Sequence, residues 1–493
     1  MFTLLTPKNH NLFLVSLVVL ASIHPICMGL DTMVVGSLLN YDSYLSYFNL
    51  NPVTIGLNNA AIWMGQILSL LGFTQYMADN WGRKNTIFIG LCTLIVGIVL
   101  QSAAQNIAMF IVGRIIIGMS IGFTNISSIV LVSEICPAKI RGFIMGLAFS
   151  SFLTGALITS GITYATENIP GNWNWRVPSM IQIAPNIIGF INLIFVPESP
   201  RFLLSKDRDQ EASEVLLILN KQNTRDAEES LIRIKTEIAS ESKAIPWTRL
   251  FKSSINIHRM AINASQAVIT ELGGSSIGST YLAILLEQAG IASPTQRLQV
   301  NIVMSAWSLI CAVTGASLLD VVGRKKQSLY ALTAMVICFL ILGPLIKNFG
   351  SGASSSAVYG TIAVMFIFSG CYSSTFTPLT TTYPSELYPY HLRATGTSVF
   401  SFINCSCGLV ASFILPIGMS NIGWKFYIIN ACYDAIIIPI IYFVWVETKG
   451  VDIDFIDDLF WNHRFHKDKA PLLTSESVEE SVEVESVEIQ AKV

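Results

Sequence analysis

The chain has 493 residues, 52% of them hydrophobic and 13% charged, with a mean hydropathy of +0.56. Ordinary soluble domains carry roughly a quarter of their residues as charges, so the composition excludes a soluble globular protein and points to a membrane. A net charge of -2 excludes the global basic field that would hold nucleic acid, and makes the placement of the charges the informative quantity.

The N-terminus offers only Lys8 before a first apolar stretch that runs into Gly29, Leu30 and Asp31 with no small-residue cleavage pattern, so this span is expected to be retained. A bilayer core of ~30 Å takes about 20 predominantly apolar residues per helix. Such windows predict spans at 12–37, 54–77, 86–104, 107–133, 142–165 and 179–197, then at 260–286, 298–319, 328–346, 357–382, 394–417 and 425–446. The expected organisation is a cytoplasmic N-terminus (1–11), a six-helix half (12–197), a cytoplasmic helical linker (198–259), a second six-helix half (260–446) and a cytoplasmic tail (447–493). Helical periodicity in Ala212 to Leu219 and Ala227 to Ile238 predicts amphipathic helices in the linker. The tail repeats Ser, Val and Glu from 475 to 488 without an aromatic residue, a composition that cannot fold alone.

With both ends in the cytoplasm, 25 of the 30 Lys and Arg residues fall on the cytoplasmic side, as the positive-inside rule requires. The nine cysteines lie almost entirely within apolar stretches and lack metal-ligand spacing, so no disulfide framework or metal site is expected. Sequons at Asn125, Asn263 and Asn404 sit inside predicted spans and are not expected to be glycosylated. No phosphate-binding loop, metal cluster or nucleophile arrangement is present, so neither an enzyme nor a cofactor is expected.

The loops carry a repeat. Asp79, Gly82, Arg83 and Lys84 return as Asp320, Gly323, Arg324 and Lys325; Glu134, Pro137 and Arg141 return as Glu386, Pro389 and Arg393; Glu198 with Arg201 returns as Glu447 with Lys449. Internal duplication is a transporter architecture. A Gly turn that brings a base against a carboxylate makes a charge-assisted pair able to form in one state and break in another, hence a cytoplasmic gate. The other reading is topological, the bases fixing orientation alone.

These motifs resemble those of the sugar porter family of the major facilitator superfamily. Gly29-Leu30-Asp31-Thr32 is similar to its first-helix signature, and Gly113-Arg114 with Gly118 and Gly122 to its fourth-helix glycine pattern. Pro197-Glu198-Ser199-Pro200-Arg201 and Val446-Glu447-Thr448-Lys449-Gly450 are similar to its two half-ending motifs. Thr377-Pro378-Leu379 with Tyr383-Pro384-x-Glu386 most resembles the fungal lactose permease-like and hexose transporter branch. The resemblance implies an all-α membrane protein of twelve helices in two pseudo-symmetric bundles, acting as a monomer in the plasma membrane. It also implies proton symport of a sugar or related polyhydroxylated solute by alternating access.

Four ionisable residues lie within predicted spans, each a functional candidate because such a group is costly at membrane depth: Asp31, Arg114, Glu271 and Asp434. The resemblance makes Asp31 the proton acceptor and Arg114 its partner; the alternative is a fixed ion pair bracing two helices. Asp434 and His24 are read as interfacial or locally satisfied. The resemblance also places the substrate site at Phe149, Thr270, Glu271, Ser276, Tyr281, Thr381 and Asn404. Phe149, Thr270, Glu271 and Thr381 replace amides and a Trp of the family pattern, and this opens the substrate question. Glu271 is an acceptor in place of an amide, a second proton site, or the partner of a cation on a non-sugar solute. A uniporter and a transporter-like nutrient receptor are the remaining alternatives, the tail after Gly450 being short for signalling.

Overall fold

The computed structural model describes residues 10–71, 73–136, 138–220, 223–240, 251, 253–291, 293–349, 355–388, 390–451 and 456–465, among which helix is the only repeating element. The repetitive 475–488 stretch lies outside the described residues, and so do the side chains of Arg141 and Phe149.

The first half comprises α1 (His10–Leu38), α2 (Asp42–Tyr47), α3 (Pro52–Leu70), α4 (Phe73–Trp81), α5 (Arg83–Ser102), α6 (Ile107–Ile135), α7 (Ala138–Thr166), α8 (Trp173–Ile181) and α9 (Ile183–Phe195). The linker folds as α10 (Pro200–Ser205), α11 (Asp209–Leu219) and α12 (Thr224–Ser240). Leu203, Leu204, Ala212 and Val215 bury its apolar face. The second half holds α13 (Ser254–Leu272), α14 (Ser275–Gly278), α15 (Leu282–Gln288), α16 (Pro294–Val322), α17 (Arg324–Phe349), α18 (Ser355–Glu386), α19 (Tyr390–Ile422) and α20 (Lys425–Val444).

Nine spans among the described residues are long and apolar enough to cross a membrane as single segments. The other three predicted spans coincide with α3 and α4, with α7, and with α13 to α15. The break after α13 is forced by Gly274, at φ +84°, where a Cβ would lie 2.3 Å from the Phe339 ring. Only glycine fits both constraints.

Within the halves α5 packs on α6, α3 on α6, α1 on α7, α17 on α18 and α20, and α13 on α19. Glycines set the closest crossings, because between apolar helices in lipid close backbone approach supplies the association energy. A Cβ on Gly29 would meet Phe152 O at 2.1 Å, and one on Gly155 would meet Ile26 O at 2.3 Å.

The halves meet along α3–α19 and α7–α16. Hydrogen bonds between them start at the face opposite the basic loops, with Thr295 Oγ1 donating to Glu167 Oε1 at 2.6 Å and Asn301 Nδ2 to Ser37 Oγ at 3.2 Å. They continue inward through Ser160 and Ser305 at 3.0 Å.

The tail holds a helix that the sequence reading did not pick out, α21 (Ile456–Phe465). Its residues Ile456, Leu459 and Phe460 recur at one-turn spacing and join the core of the second half. Arg259, 1% exposed at the start of α13, reaches Asp457 at 2.5 Å and lies over the Phe460 ring.

Candidate functional site

Arg114 and Asp31 come together, though not as an ion pair. The Arg114 guanidinium donates from Nη1 to the backbone carbonyl of Asp31 at 2.6 Å and from Nε to the carbonyl of Asn58 at 3.4 Å. It thereby ties α6 to α1 and α3. Both Asp31 carboxylate oxygens are buried without a hydrogen-bond partner. The fixed-brace alternative required the carboxylate itself to be paired; the bracing is done by main-chain carbonyls, and the carboxyl group is left over. Asn58 in turn donates to the Tyr44 hydroxyl at 3.2 Å.

In the second half the structure joins two of the expected substrate residues, Asn404 donating to Glu271 Oε1 at 2.9 Å. One residue along α19, Cys405 donates to Gln66 Oε1 of α3 at 3.3 Å, leaving Gln66 Nε2 and Asn404 Oδ1 buried and unpartnered. Gln66 was not singled out from the sequence. Its signal was there: Asn58, Asn59 and Gln66 lie within two helical turns inside an otherwise apolar span, the pattern of a buried polar face.

Other expectations change. Thr270 donates its hydroxyl to the Gln266 carbonyl at 2.9 Å, while its own carbonyl accepts from Tyr372 at 3.0 Å and Ser275 at 2.8 Å. Tyr281, expected to bind substrate, instead donates to Ser412 O at 2.9 Å and accepts from Asn59 Nδ2 at 3.1 Å. That ties the start of α15 to α3 and α19 across the two halves, and leaves the phenol little capacity for a ligand. Ser276 is half-buried in α14, and Thr381 is exposed, its hydroxyl donating to the Pro378 carbonyl at 3.3 Å.

Tyr281→Phe is therefore expected to loosen the seal between the halves more than it alters solute affinity. Two hydrogen bonds at about 0.5–1.5 kcal/mol each are removed. Maleimide labelling of a cysteine placed at Ile55 should accelerate several-fold; an unchanged rate would contradict the seal.

Asp434 and His24 are corrected. Both sit mid-helix and are buried, at 0% and 3% exposure, rather than at interfacial ends. Neither carboxylate oxygen of Asp434 has a hydrogen-bond partner, nor has Nε2 of His24.

The duplicated loops form duplicated clusters. Arg83 reaches Glu134 at 3.3 Å and Asp79 at 3.7 Å; Arg324 reaches Glu386 at 2.8 Å and Asp320 at 3.0 Å. Each Arg also donates to the carbonyl five residues before it, Ala78 and Leu319. Glu198 and Glu447 accept backbone amides at the helix starts. Glu198 accepts from the N–H groups of Arg83 and Lys84, both at 3.1 Å, and Glu447 from those of Arg324 at 2.7 Å and Lys325 at 3.0 Å. Each carboxylate thus caps the positive end of α5 or α17. Burial pushes the Glu198 carboxyl above its ordinary range, opposed by the amides of Ser199, Lys84 and Arg83 and the Arg83 charge. Arg201 and Arg393 are half-buried on the same face. The ion pairs of Arg83 and of Arg324 each lie within one half.

Gly82 and Gly323 make this possible, at φ +97° and +98° with ψ 160° and 154°. A Cβ there would lie 2.3 Å from Glu198 Oε2 and 2.6 Å from Glu447 Oε2. Gly82→Ala and Gly323→Ala are each expected to destabilise by about 1–3 kcal/mol, the range for such glycine-only conformations. The thermal midpoint of the purified protein reads this out; two unshifted midpoints would contradict the cap geometry.

A family model described as "Sugar (and other) transporter" matches residues 17–460. The chain belongs to this family. The transporter is 27% identical to the high-affinity glucose transporter of Kluyveromyces lactis, over 92% of this chain and 86% of that one. It is 25% identical to high-affinity glucose transporter 1 of Candida albicans, over 98% and 93%. Its fold matches that of the xylose transporter XylE from E. coli in a partially occluded inward open conformation. The TM-score is 0.75 at 18% identity, covering 89% of this chain and 99% of that one. The two-bundle major facilitator fold expected from the duplicated loops is borne out, and the protein is an integral, multi-pass membrane transporter, not an enzyme.

Proposed function

We propose that this transporter is a proton symporter for a sugar or related polyhydroxylated solute. It works as a monomer in the plasma membrane by alternating access, with both termini cytoplasmic. The observation that carries the proton coupling is the Asp31 carboxylate, buried, unpartnered and within electrostatic reach of a guanidinium that binds main-chain carbonyls instead. Such a group takes up a proton when the cation withdraws and releases it when the cation returns.

The sugar reading is supported by the matched glucose transporters and by the free groups between the halves. A sugar hydroxyl needs both a donor and an acceptor. Gln66 Nε2 offers the first and Asn404 Oδ1 the second, with Glu271 held beside them. Phe149, Ser276 and Thr381 are proposed to complete the lining. The duplicated clusters at Asp79, Arg83, Glu134, Glu198 and Arg201, and at Asp320, Arg324, Glu386, Arg393 and Glu447, gate the cytoplasmic face by keeping the helix ends of each half together as it rocks, and Arg141 is assigned to the first by its place in the sequence repeat. With the hydrogen bonds between halves running from the opposite face, the conformation reads as sealed toward the outside. Glu271, where the family pattern has an amide, favours a second reading, a solute bearing a cationic group.

Uptake of labelled sugars, polyols and amine-bearing solutes into cells expressing the chain, with and without a protonophore, tests this. Sugar uptake abolished by the protonophore is expected. Surface expression without uptake of any sugar would overturn the substrate class.

A further inference from the structure

The seventh span breaks after Leu272, and one buried carboxylate faces the break. A Cβ placed on Gly273 would lie 3.6 Å from Asp434 Oδ1, and one on Gly274 would lie 2.8 Å from Asn430 Nδ2. The Asp434 oxygens, Asn430 Nδ2 and the hydroxyl of Tyr433 are all buried without hydrogen-bond partners. Unpartnered Asp434 and Asn430 atoms at one helix break, with the Tyr433 hydroxyl on the same helix, are hard to reconcile with a purely structural role, since a buried polar group left unpaired costs about 1–3 kcal/mol.

We propose that Asp434 is a proton-binding site of this transporter, separate from Asp31, and that the bound proton holds the α13–α14 break in the conformation seen here. A helix end leaves its last four carbonyls without helical partners and carries partial negative charge. Two at this end are already taken, Ile269 O by the Gly273 amide and Thr270 O by Tyr372 and Ser275. A protonated Asp434 has an O–H to donate to a remaining carbonyl. An ionised Asp434 meets the negative end of the helix dipole with nothing to neutralise it.

The elements packed against α20 are α13, α17 and α19. Away from the helix ends, the titratable side chains of these elements are Glu271, Cys338, Cys405 and Cys407, with Tyr427, Cys432 and Tyr433 on α20 itself, and none of them is a cation. Among the described residues no Lys or Arg pairs with Asp434; Arg259, Arg324 and Lys347 are engaged with Asp457, with Asp320 and Glu386, and with Trp424. A metal cation fits poorly, because it needs a cage of oxygens and the amide N–H of Asn430 lies at the break. A proton needs one carboxylate and one acceptor.

The break leads into the seal. Past it, the carbonyl of Thr280 lies where a Cβ on Gly36 would approach to 2.6 Å, and Tyr281 accepts from Asn59 across the halves. Protonation at Asp434 thus bears on whether the seventh span can straighten and the far face can open, a coupling between proton and gate that does not pass through Asp31.

Infrared difference spectroscopy of the reconstituted full chain between acidic and alkaline buffer tests this with no solute present, so its outcome is separate from that of the sugar-symport reading. The wild type is expected to show a protonated-carboxyl carbonyl band lost on alkalinisation. Asp434→Asn should lose one component of that band, Asp31→Asn another, and the double variant both. Asp434→Asn mimics the protonated carboxyl and is expected to fold; should it not, Asp434→Glu should shift the component rather than delete it. A band unchanged in Asp434→Asn, or in Asp434→Glu where the Asn variant does not fold, overturns the proposal. So does a band that sodium ions abolish at constant acidic pH, which would make the site a metal-cation site.

Discussion

Asp31→Asn is expected to abolish accumulation of solute against a gradient while leaving exchange of labelled for unlabelled solute largely intact. The reason is the division of labour at this site: Arg114 is held by the carbonyls of Asp31 and Asn58, neither of which the substitution removes. The carboxylate has no hydrogen-bond partner to lose. Asn is close in shape to a protonated Asp, so the helices keep their packing, but it can neither take nor give a proton. One pH unit is worth about 1.4 kcal/mol, or a tenfold concentration ratio for one proton per solute. The wild type should approach that ratio, and Asp31→Asn should fall to about unity. A variant that still accumulates solute would return Asp31 to a structural part. Arg114→Lys should do more damage, since one ammonium replaces a planar fork spanning two carbonyls.

Gly118→Val should produce the largest loss of folded protein. A Cβ on Gly118 would lie 2.1 Å from Ile62 O and 3.0 Å from the Gly65 Cα, and one on Gly65 would lie 2.0 Å from Ile115 O. Overpacking usually costs about 1–3 kcal/mol because side chains shift aside. Here the obstruction is main chain, and relief requires α3 and α6 to part, which pulls Asn58 from Arg114. Surface expression should collapse and the thermal midpoint of any residual protein should drop. Gly161→Ala is the matched control, because nothing lies within 4 Å of a Cβ at that position. Equal behaviour of the two variants would show that the crossing tolerates separation.

How much of this was legible in the sequence depends on whether a residue's role is local. The paired loops read well, because Gly82 and Gly323, Arg83 and Arg324, and Glu134 and Glu386 act within a turn or across one helix contact, and the duplication repeats each signal. What the motif could not tell is that Glu198 and Glu447 cap helices through backbone amides, since spacing carries no direction for a carboxylate. The membrane charges were visible as candidates, whereas their partners were not. Asp31 and Arg114 meet through a main-chain carbonyl, and Tyr281 bonds Asn59 and Ser412, contacts over long sequence separations that periodicity does not encode. Asp434 was misread as interfacial although it lies midway along its span; only the break at Gly273 and Gly274 shows what it faces. Gln66 lies on α3, outside the spans in which the resemblance places the substrate site, and its contact with Cys405 joins residues far apart in sequence.

The transport cycle proposed for this protein rests on coupling between a proton and a sugar. Purified protein in proteoliposomes with an alkaline lumen, given labelled D-glucose and D-xylose in separate runs, measures it directly. Accumulation of at least one sugar above the bath level, collapsed by a protonophore and absent in Asp31→Asn, is the expected result. Equilibration to the bath level and no further, unchanged by the protonophore, would contradict proton symport and leave a uniporter.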